Sequence, residues 1–101
     1  MSADLLRRAA TVLRERAEDA TPGPWEVSWG AVRGPEQHAV ASPARRDGLY
    51  IATMDPLVGL AIADHLEGFA AFLDMLGDDY ADRITPGETV TLARAILGET
   101  S

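Results

Sequence analysis

Three residue types are missing from this sequence of 101 residues: cysteine, lysine and asparagine. Without cysteine the chain forms neither disulfides nor thiolate metal sites, and this absence fits a cytoplasmic protein. Arg7 and Arg8 are followed by small and charged residues instead of an apolar segment, so we expect no secretory signal peptide. The length predicts a single domain, residues 1–101, with a core of modest size.

The composition also indicates the source of the chain. All nine basic residues are arginine, and alanine occurs 17 times. Lysine and asparagine codons are AT-rich, whereas most alanine and arginine codons are GC-rich. The sequence therefore indicates a GC-rich genome, such as that of an actinobacterium or one of its phages.

The formal charge of −7 is unevenly distributed along the chain. Residues 1–46 hold seven arginines and six acids, whereas residues 47–101 hold two arginines and ten acids. An acidic half repels phosphate, so direct binding of nucleic acid is disfavoured. Two interpretations stay open: the acidic half binds a basic protein partner, or it only keeps the chain soluble.

The central element predicted is a long apolar helix over residues 55–77. Asp55 is placed to cap it, Pro56 suits its first position, and Gly77 suits its end. Apolar residues recur at steps of three or four, at Val58, Ile62, Leu66, Phe69, Leu73 and Leu76. We expect no membrane span, because the uncharged run ends at Asp64, short of the ~20 residues that a bilayer requires.

The apolar surface of this helix predicts close neighbours. Gly59 and Gly68 lower helix propensity, so we expect them to mark close approach by another element. The apolar residues in 57–63 and 69–76 exceed what the rest of a small chain covers, which predicts a homo-oligomer, with a dimer as the first expectation.

The remaining elements complete an α+β fold. A helix is predicted over residues 3–20, a stiff turn over 21–25 and a short hairpin of 24–33 against 37–42. A short helix over 48–53, capped by Asp47, precedes the central helix. An acidic connector over 78–83 leads to a last helix over 86–97, which Thr85 and Glu88 begin as a capping box and Gly98 ends. We expect residues 99–101 to be a frayed tail.

No residue pattern predicts catalysis, and we expect neither an enzyme nor a cofactor. His38 and His65 are the two histidines, and neither has a second histidine one helical turn away to form a zinc pair. The acids at 74, 78, 79 and 82 lack the spacing of a calcium loop. No serine lies in a nucleophile elbow, and no glycine-rich phosphate loop is present.

Two sets of residues are candidates for binding. Asp78, Asp79 and Asp82 belong to the acidic half that would bind a basic protein. The second set would form a nucleotide-like pocket, with an anion held by the two arginines near the start of the short helix; its members are Trp25, Trp29, Arg45, Arg46 and Tyr50. The two tryptophans are also the natural core of the hairpin, so that interpretation stays open.

Three motifs, in order, carry a resemblance. They are the segment LRERAEDATPGPW at residues 13–25, the D-x-x-Y-I-A segment from Asp47 that leads to Asp55-Pro56, and the L-x-x-A-D-x-L-E segment of residues 60–67. Together they resemble short actinobacterial and actinophage accessory proteins with an ATPGPW motif, and are similar to the Ead-type early-region proteins of lambdoid phages. The resemblance covers residues 5–67. It implies a small, non-enzymatic accessory protein with no assigned catalytic residues.

Overall fold

The computed structural model describes residues 2–28, 30–37, 39–41 and 45–98, without the side chains of Arg45 and Arg46. Within these residues the chain has five helices and one three-stranded antiparallel sheet, and the α+β prediction and its order of elements are confirmed. The contacts divide the chain into two compact units. The first is residues 1–14 with 62–101, and the second is residues 15–61.

The core of the first unit lies between helices α1 (Ser2–Asp19), α3 (Pro56–Asp74), α4 (Asp78–Ile84) and α5 (Gly87–Leu97). Leu6, Leu66 and Leu73 are its largest fully buried side chains. Most other buried residues are alanines, which let helix backbones approach closely. They are Ala3, Ala9, Ala10, Ala63, Ala70, Ala81 and Ala93.

Helix α3 begins where the sequence predicted. One oxygen of Asp55 (Oδ1) accepts hydrogen bonds from the backbone N–H groups of Leu57 at 2.9 Å and Val58 at 3.2 Å. These two donors have no partner inside the helix, so Asp55 acts as its cap. The helix ends at Asp74, before the predicted end at Gly77. Gly77 is instead the N-cap residue of α4, with φ +85°, a backbone conformation that residues with a Cβ rarely adopt.

The acidic connector predicted over residues 78–83 is helix α4. Asp78 and Asp79 occupy its first turn, where negative charge is favourable beside the helix N-terminus. Ala81 is buried against the core of the first unit. A short segment that resembles a solvated loop in sequence is therefore helical, and Ala81 is the described residue through which it packs into the core.

The last helix, α5, ends as predicted but begins differently. Gly98 follows it in the left-handed conformation, with φ +73°. The predicted capping box is wrong, because Thr85 donates its hydroxyl proton to the carbonyl of Ala81 at 2.6 Å instead. Pro86 is the N-cap residue of α5, and no side chain caps it.

The sheet of the second unit has three strands, whereas the sequence predicted two. They are β1 (Glu26–Ser28), β2 (Ala31–Arg33) and β3 (Ala39–Ala41), in the order β1-β2-β3. The predicted first strand, 24–33, folds back on itself, and Val27 pairs with Val32. Gly30, with φ +73°, supplies the backbone conformation that this tight reversal requires. His38 and Ser42 of the predicted second strand lie outside the described residues.

Helix α2 (Arg45–Thr53) packs against β1 and β2. Such support is needed because short strands are marginally stable in isolation. The helix begins at Arg45, so Asp47 lies in its first turn and is not its cap.

The expectation that Gly68 marks a close approach is wrong. A Cβ added there would meet no atom within 4 Å outside its immediate surroundings in the helix. Gly68 faces solvent. The prediction fails because a glycine in an apolar helix does not by itself require a neighbouring element to pack against it.

Candidate functional site

The turn over residues 21–25 is held by the residue that caps α3. The backbone N–H of Trp25 donates to the second oxygen of Asp55 (Oδ2) at 3.1 Å. A Cβ at Gly23 would lie 3.0 Å from the same oxygen. Asp55 is 7% exposed, and it is the one buried charged residue among those described. Two motifs that lie about thirty residues apart in sequence, TPGPW and Asp55-Pro56, are thus joined through one carboxylate.

The indole of Trp25 is fixed from its own turn. Its Nε1–H donates to the backbone carbonyl of Thr21 at 2.8 Å. The side chain is partly buried, so it is neither a fully buried core residue nor an open platform. The peptide bond between Gly23 and Pro24, just before it, is cis.

Beside Trp25 lies a cavity of about 280 Å³, which we call the Trp25 pocket. One wall comes from residues 24–26 and the other from the connection between β2 and β3. Its described lining residues are Pro24, Trp25, Glu26, Gly34, Pro35, Glu36 and Gln37. Among these described residues are two glutamates, Glu26 and Glu36, and no arginine.

Among the described residues, no other member of the predicted nucleotide-like pocket lines this cavity. Tyr50 lies on α2 with 68% of its surface exposed. Arg45 and Arg46 begin the same helix, but their side chains lie outside the described residues, as does all of Trp29. The nucleotide-like pocket thus stays a prediction.

The four acids near the end of α3 have different surroundings. Asp74 forms an ion pair with Arg7 of α1. Asp82 accepts a hydrogen bond from the backbone N–H of Ser2 at 2.9 Å. This bond stabilises the charged form and lowers the pKa of Asp82 below its ordinary value.

Asp78 and Asp79, by contrast, are exposed, and neither makes an ion pair with any residue that the structure describes. Across the described ranges, no three His, Cys, Asp or Glu side chains lie close enough together to hold a metal ion. The sequence pattern predicted that Asp78, Asp79 and Asp82 act as one group. In the structure Asp82 accepts a hydrogen bond from Ser2, whereas Asp78 and Asp79 are exposed to solvent.

Large apolar side chains are exposed in the same stretch of sequence as those two acids. Met75 is 83% exposed, Phe72 52% and Tyr80 49%. The Phe72 ring meets the Phe69 ring edge to face at 6.2 Å, and the guanidinium of Arg83 lies 5.7 Å from the centre of the Tyr80 ring. The 72–80 surface, as we name it, consists of Phe72, Met75, Asp78, Asp79 and Tyr80.

An arginine that the sequence analysis did not single out ties α1 to α3. Arg14 contacts Asp64 at 2.7 Å and Glu67 at 2.9 Å through its Nη2 atom. The hydrogen bond to Asp64, followed in size of effect by the one to Glu67, raises the pKa of Arg14 above its ordinary value. The signal was present in the sequence, because Asp64 and Glu67 are three residues apart and share a helix face.

The first unit also contains a cavity of about 380 Å³ near the start of α1. It is lined by Ser2, Asp4, Leu5, Arg8, Asp82, Val90 and Arg94. Two acids and two arginines lie together there, so the cavity has no preference for one sign of charge.

Helix α3 is, by length and composition, the one helix among the described residues that could cross a membrane. Core helices of soluble proteins meet the same criteria, and a third of the relevant window is buried inside the protein. Asp64, His65 and Glu67 lie near its middle, where each ionised group would cost about 2.5–3.5 kcal/mol in a bilayer. These residues favour a helix outside the membrane.

Comparison of the chain with family models, with curated proteins and with solved structures finds no match. The class that the structure defines is therefore an α+β fold with an exposed surface at residues 72–80 and a small acidic pocket beside Trp25.

Proposed function

We propose that this chain is a cytoplasmic protein-binding accessory protein without enzymatic activity. Its partner presents a basic segment with apolar side chains between the basic residues, and this segment binds at the 72–80 surface. The observation that carries the proposal is that Phe72 and Met75 are exposed within a few residues along the chain of Asp78 and Asp79, which are exposed and lack ion pairs among the described residues. The resemblance to phage accessory proteins agrees with such a role.

The two kinds of residue supply different parts of the binding energy. Apolar and aromatic anchors provide most of the affinity of a protein interface when they are buried. The flexible thioether of Met75 adapts to varied partner shapes. The carboxylates of Asp78 and Asp79 attract a basic partner and orient it, which raises the association rate more than the affinity.

The same surface bears on the expected homo-oligomer. A second copy would bring Asp78 and Asp79 of both chains towards each other, and this repulsion opposes self-association at low salt. A basic partner turns the same charges into an attraction. The dimer stays a prediction, and light scattering tests it against the monomer mass of 10.8 kDa.

The proposal is tested by titrating the isotope-labelled protein with a short amphipathic peptide of leucine and lysine, followed by NMR. We expect chemical shift changes centred on residues 72–80, with an affinity that falls as salt rises. An acidic peptide of the same apolar pattern should produce none. Shifts spread evenly over all exposed residues would show non-specific attraction and would contradict the proposal.

Matched variants separate charge from location. We compare D78N/D79N with E15Q/E18Q, because each removes two exposed carboxylates from a helix and changes the net charge equally. Only the first should weaken peptide binding markedly. For the apolar part, F72S/M75S should reduce binding, whereas L92S, which changes an exposed leucine of α5, should not. Equal losses in both charge variants would refute a defined surface.

A further inference from the structure

The Trp25 pocket belongs to the second unit and is separate from the 72–80 surface. Its first wall is rigid for identifiable reasons. The backbone N–H of Trp25 is bonded to Asp55, and the indole N–H is bonded to the carbonyl of Thr21. Both N–H donors of the residue are therefore satisfied within the protein, and Trp25 lines the cavity without an unpaired donor.

The second wall is fixed by contacts of Gly34 and Arg33. A Cβ at Gly34 would lie 2.9 Å from Cγ2 of Thr21 and 3.1 Å from the carbonyl oxygen of Pro22, so Gly34 packs closely against the TPGPW turn. Arg33 donates to the carbonyl of Gln37 at 3.2 Å and to that of Ser28 at 3.1 Å. The pocket is thus formed before any ligand arrives, which lowers the entropic cost of binding.

Two adjacent residues at the rim have unusual backbones. Glu36 has φ +61° and Gln37 has φ +64°, although neither is glycine. Left-handed conformations cost energy for residues with a Cβ and persist only where the surroundings impose them. Such residues concentrate at ligand-binding sites. Here the conformation belongs to two residues that line the cavity, one of which carries a carboxylate.

The chemistry of the lining selects the ligand. The indole of Trp25, two prolines and the exposed carboxylate of Glu26 combine an aromatic and apolar wall with a negative charge. A cation over an indole ring is attracted by the ring quadrupole, and a carboxylate adds to this attraction. About 280 Å³ is just below the roughly 300–1,000 Å³ of pockets for drug-sized ligands, so the space suits a group of side-chain size.

We propose that the Trp25 pocket binds an organic cation of the guanidinium type. The source is a free small molecule or an arginine side chain of another protein, and both present the same chemistry. This assignment differs from a nucleotide site in the sign of the ligand's charge, and it does not depend on the proposed function of the 72–80 surface.

The experiment compares two probes of nearly equal shape, N-acetyl-arginine amide and N-acetyl-citrulline amide. The indole NMR signal of Trp25 reports binding in the unmodified protein, and fluorescence reports it in a W29F variant, in which Trp25 is the remaining tryptophan. We expect saturable changes with the arginine derivative at millimolar concentration and none with the uncharged citrulline derivative. Equal responses to both probes, or no response to either, would overturn the proposal.

Variants then test the carboxylates. Glu26 is exposed and makes no ion pair with the rest of the described chain, so E26Q removes its charge without removing a structural bond. We expect E26Q to weaken binding of the arginine derivative about two- to fivefold, the effect of one exposed ion pair. E18Q on α1 serves as the matched control and should leave binding unchanged. A loss in E18Q equal to that in E26Q would mean that net charge alone attracts the probe.

A last comparison distinguishes the two sources of the cation. An arginine within a short glycine-serine peptide is titrated beside the free arginine derivative. Binding of the peptide at least about tenfold tighter supports a protein segment as the natural ligand. Equal affinity supports a small cation. The D78N/D79N variant should bind both probes normally, so that failure at this pocket and failure at the 72–80 surface are distinguishable.

Discussion

The carboxylate of Asp55 accepts the backbone N–H of Trp25 at 3.1 Å while it caps α3. The bond joins residues thirty positions apart, and it fixes the direction in which the TPGPW turn leaves α1. A buried carboxylate is stable only when it is well hydrogen-bonded, and Asp55 accepts three backbone N–H groups. The local order of the second unit therefore depends on one side chain.

Replacing Asp55 tests this dependence. Asparagine has one acceptor oxygen, so D55N leaves either the Trp25 N–H or the α3 donors without a partner. We expect D55N to destabilise the protein by about 1–3 kcal/mol, measured by urea unfolding. D47N, at an exposed position in the first turn of α2, is the control and should change stability by less than about 0.5 kcal/mol. Equal stabilities of D55N and the unmodified protein would show that the bond has no energetic role.

Gly68 offers a stabilising substitution. Its Cβ would meet open space on an exposed helix face, so G68A should gain about 1 kcal/mol from helix propensity and raise the thermal midpoint by about 4 °C. Gly77 provides the contrast, because its φ of +85° strains any residue with a Cβ. G77A should lose about 1–3 kcal/mol. The prediction fails if G68A is no more stable than the unmodified protein in calorimetry.

Gly34 should tolerate no side chain. The nearest atoms to an added Cβ include the backbone oxygen of Pro22 at 3.1 Å, which moves only if the TPGPW turn moves. We expect G34A to destabilise the protein by about 1–3 kcal/mol and to shift the indole NMR signal of Trp25. G87A, where an added Cβ meets no atom within 4 Å, is the matched control. An unchanged Trp25 signal in G34A would mean that the turn and the β2–β3 connection are independent.

Asp82 predicts a pH dependence of stability. Its pKa is lowered in the folded chain by the Ser2 N–H, so folding favours the charged form. The stabilisation of the folded state by the Asp82 carboxylate is complete above the ordinary unfolded pKa of about 3.9, and it is lost as the pH falls through the lowered pKa of the folded state. We expect the unmodified protein to exceed D82N in stability at neutral pH and the difference to disappear in acid. Urea unfolding of both proteins from neutral to acidic pH measures this, and a constant difference would contradict it.

The sequence by itself determined four of the five described helices and the order of the elements, whereas α4 was predicted as a connector. The apolar steps of three and four in residues 58–76, the Asp55-Pro56 start and the glycine at 98 are local signals, because each acts through its neighbours along the chain. These signals identified α1, α3 and α5 to within a few residues. They also placed strands between α1 and the central helix, although the predicted strand 24–33 runs through the chain reversal at Gly30.

Tertiary structure alone decided which polar residues meet. Asp55 with Trp25, Arg14 with Asp64, and Asp82 with Ser2 are pairs whose members lie 30 to 80 residues apart. Nothing in local periodicity encodes such pairings, because they arise only when packing of the apolar faces brings the helices together. For the same reason the fold separated the acids into bonded and solvent-facing groups, and it placed Glu26 and Glu36 in the lining of the Trp25 pocket.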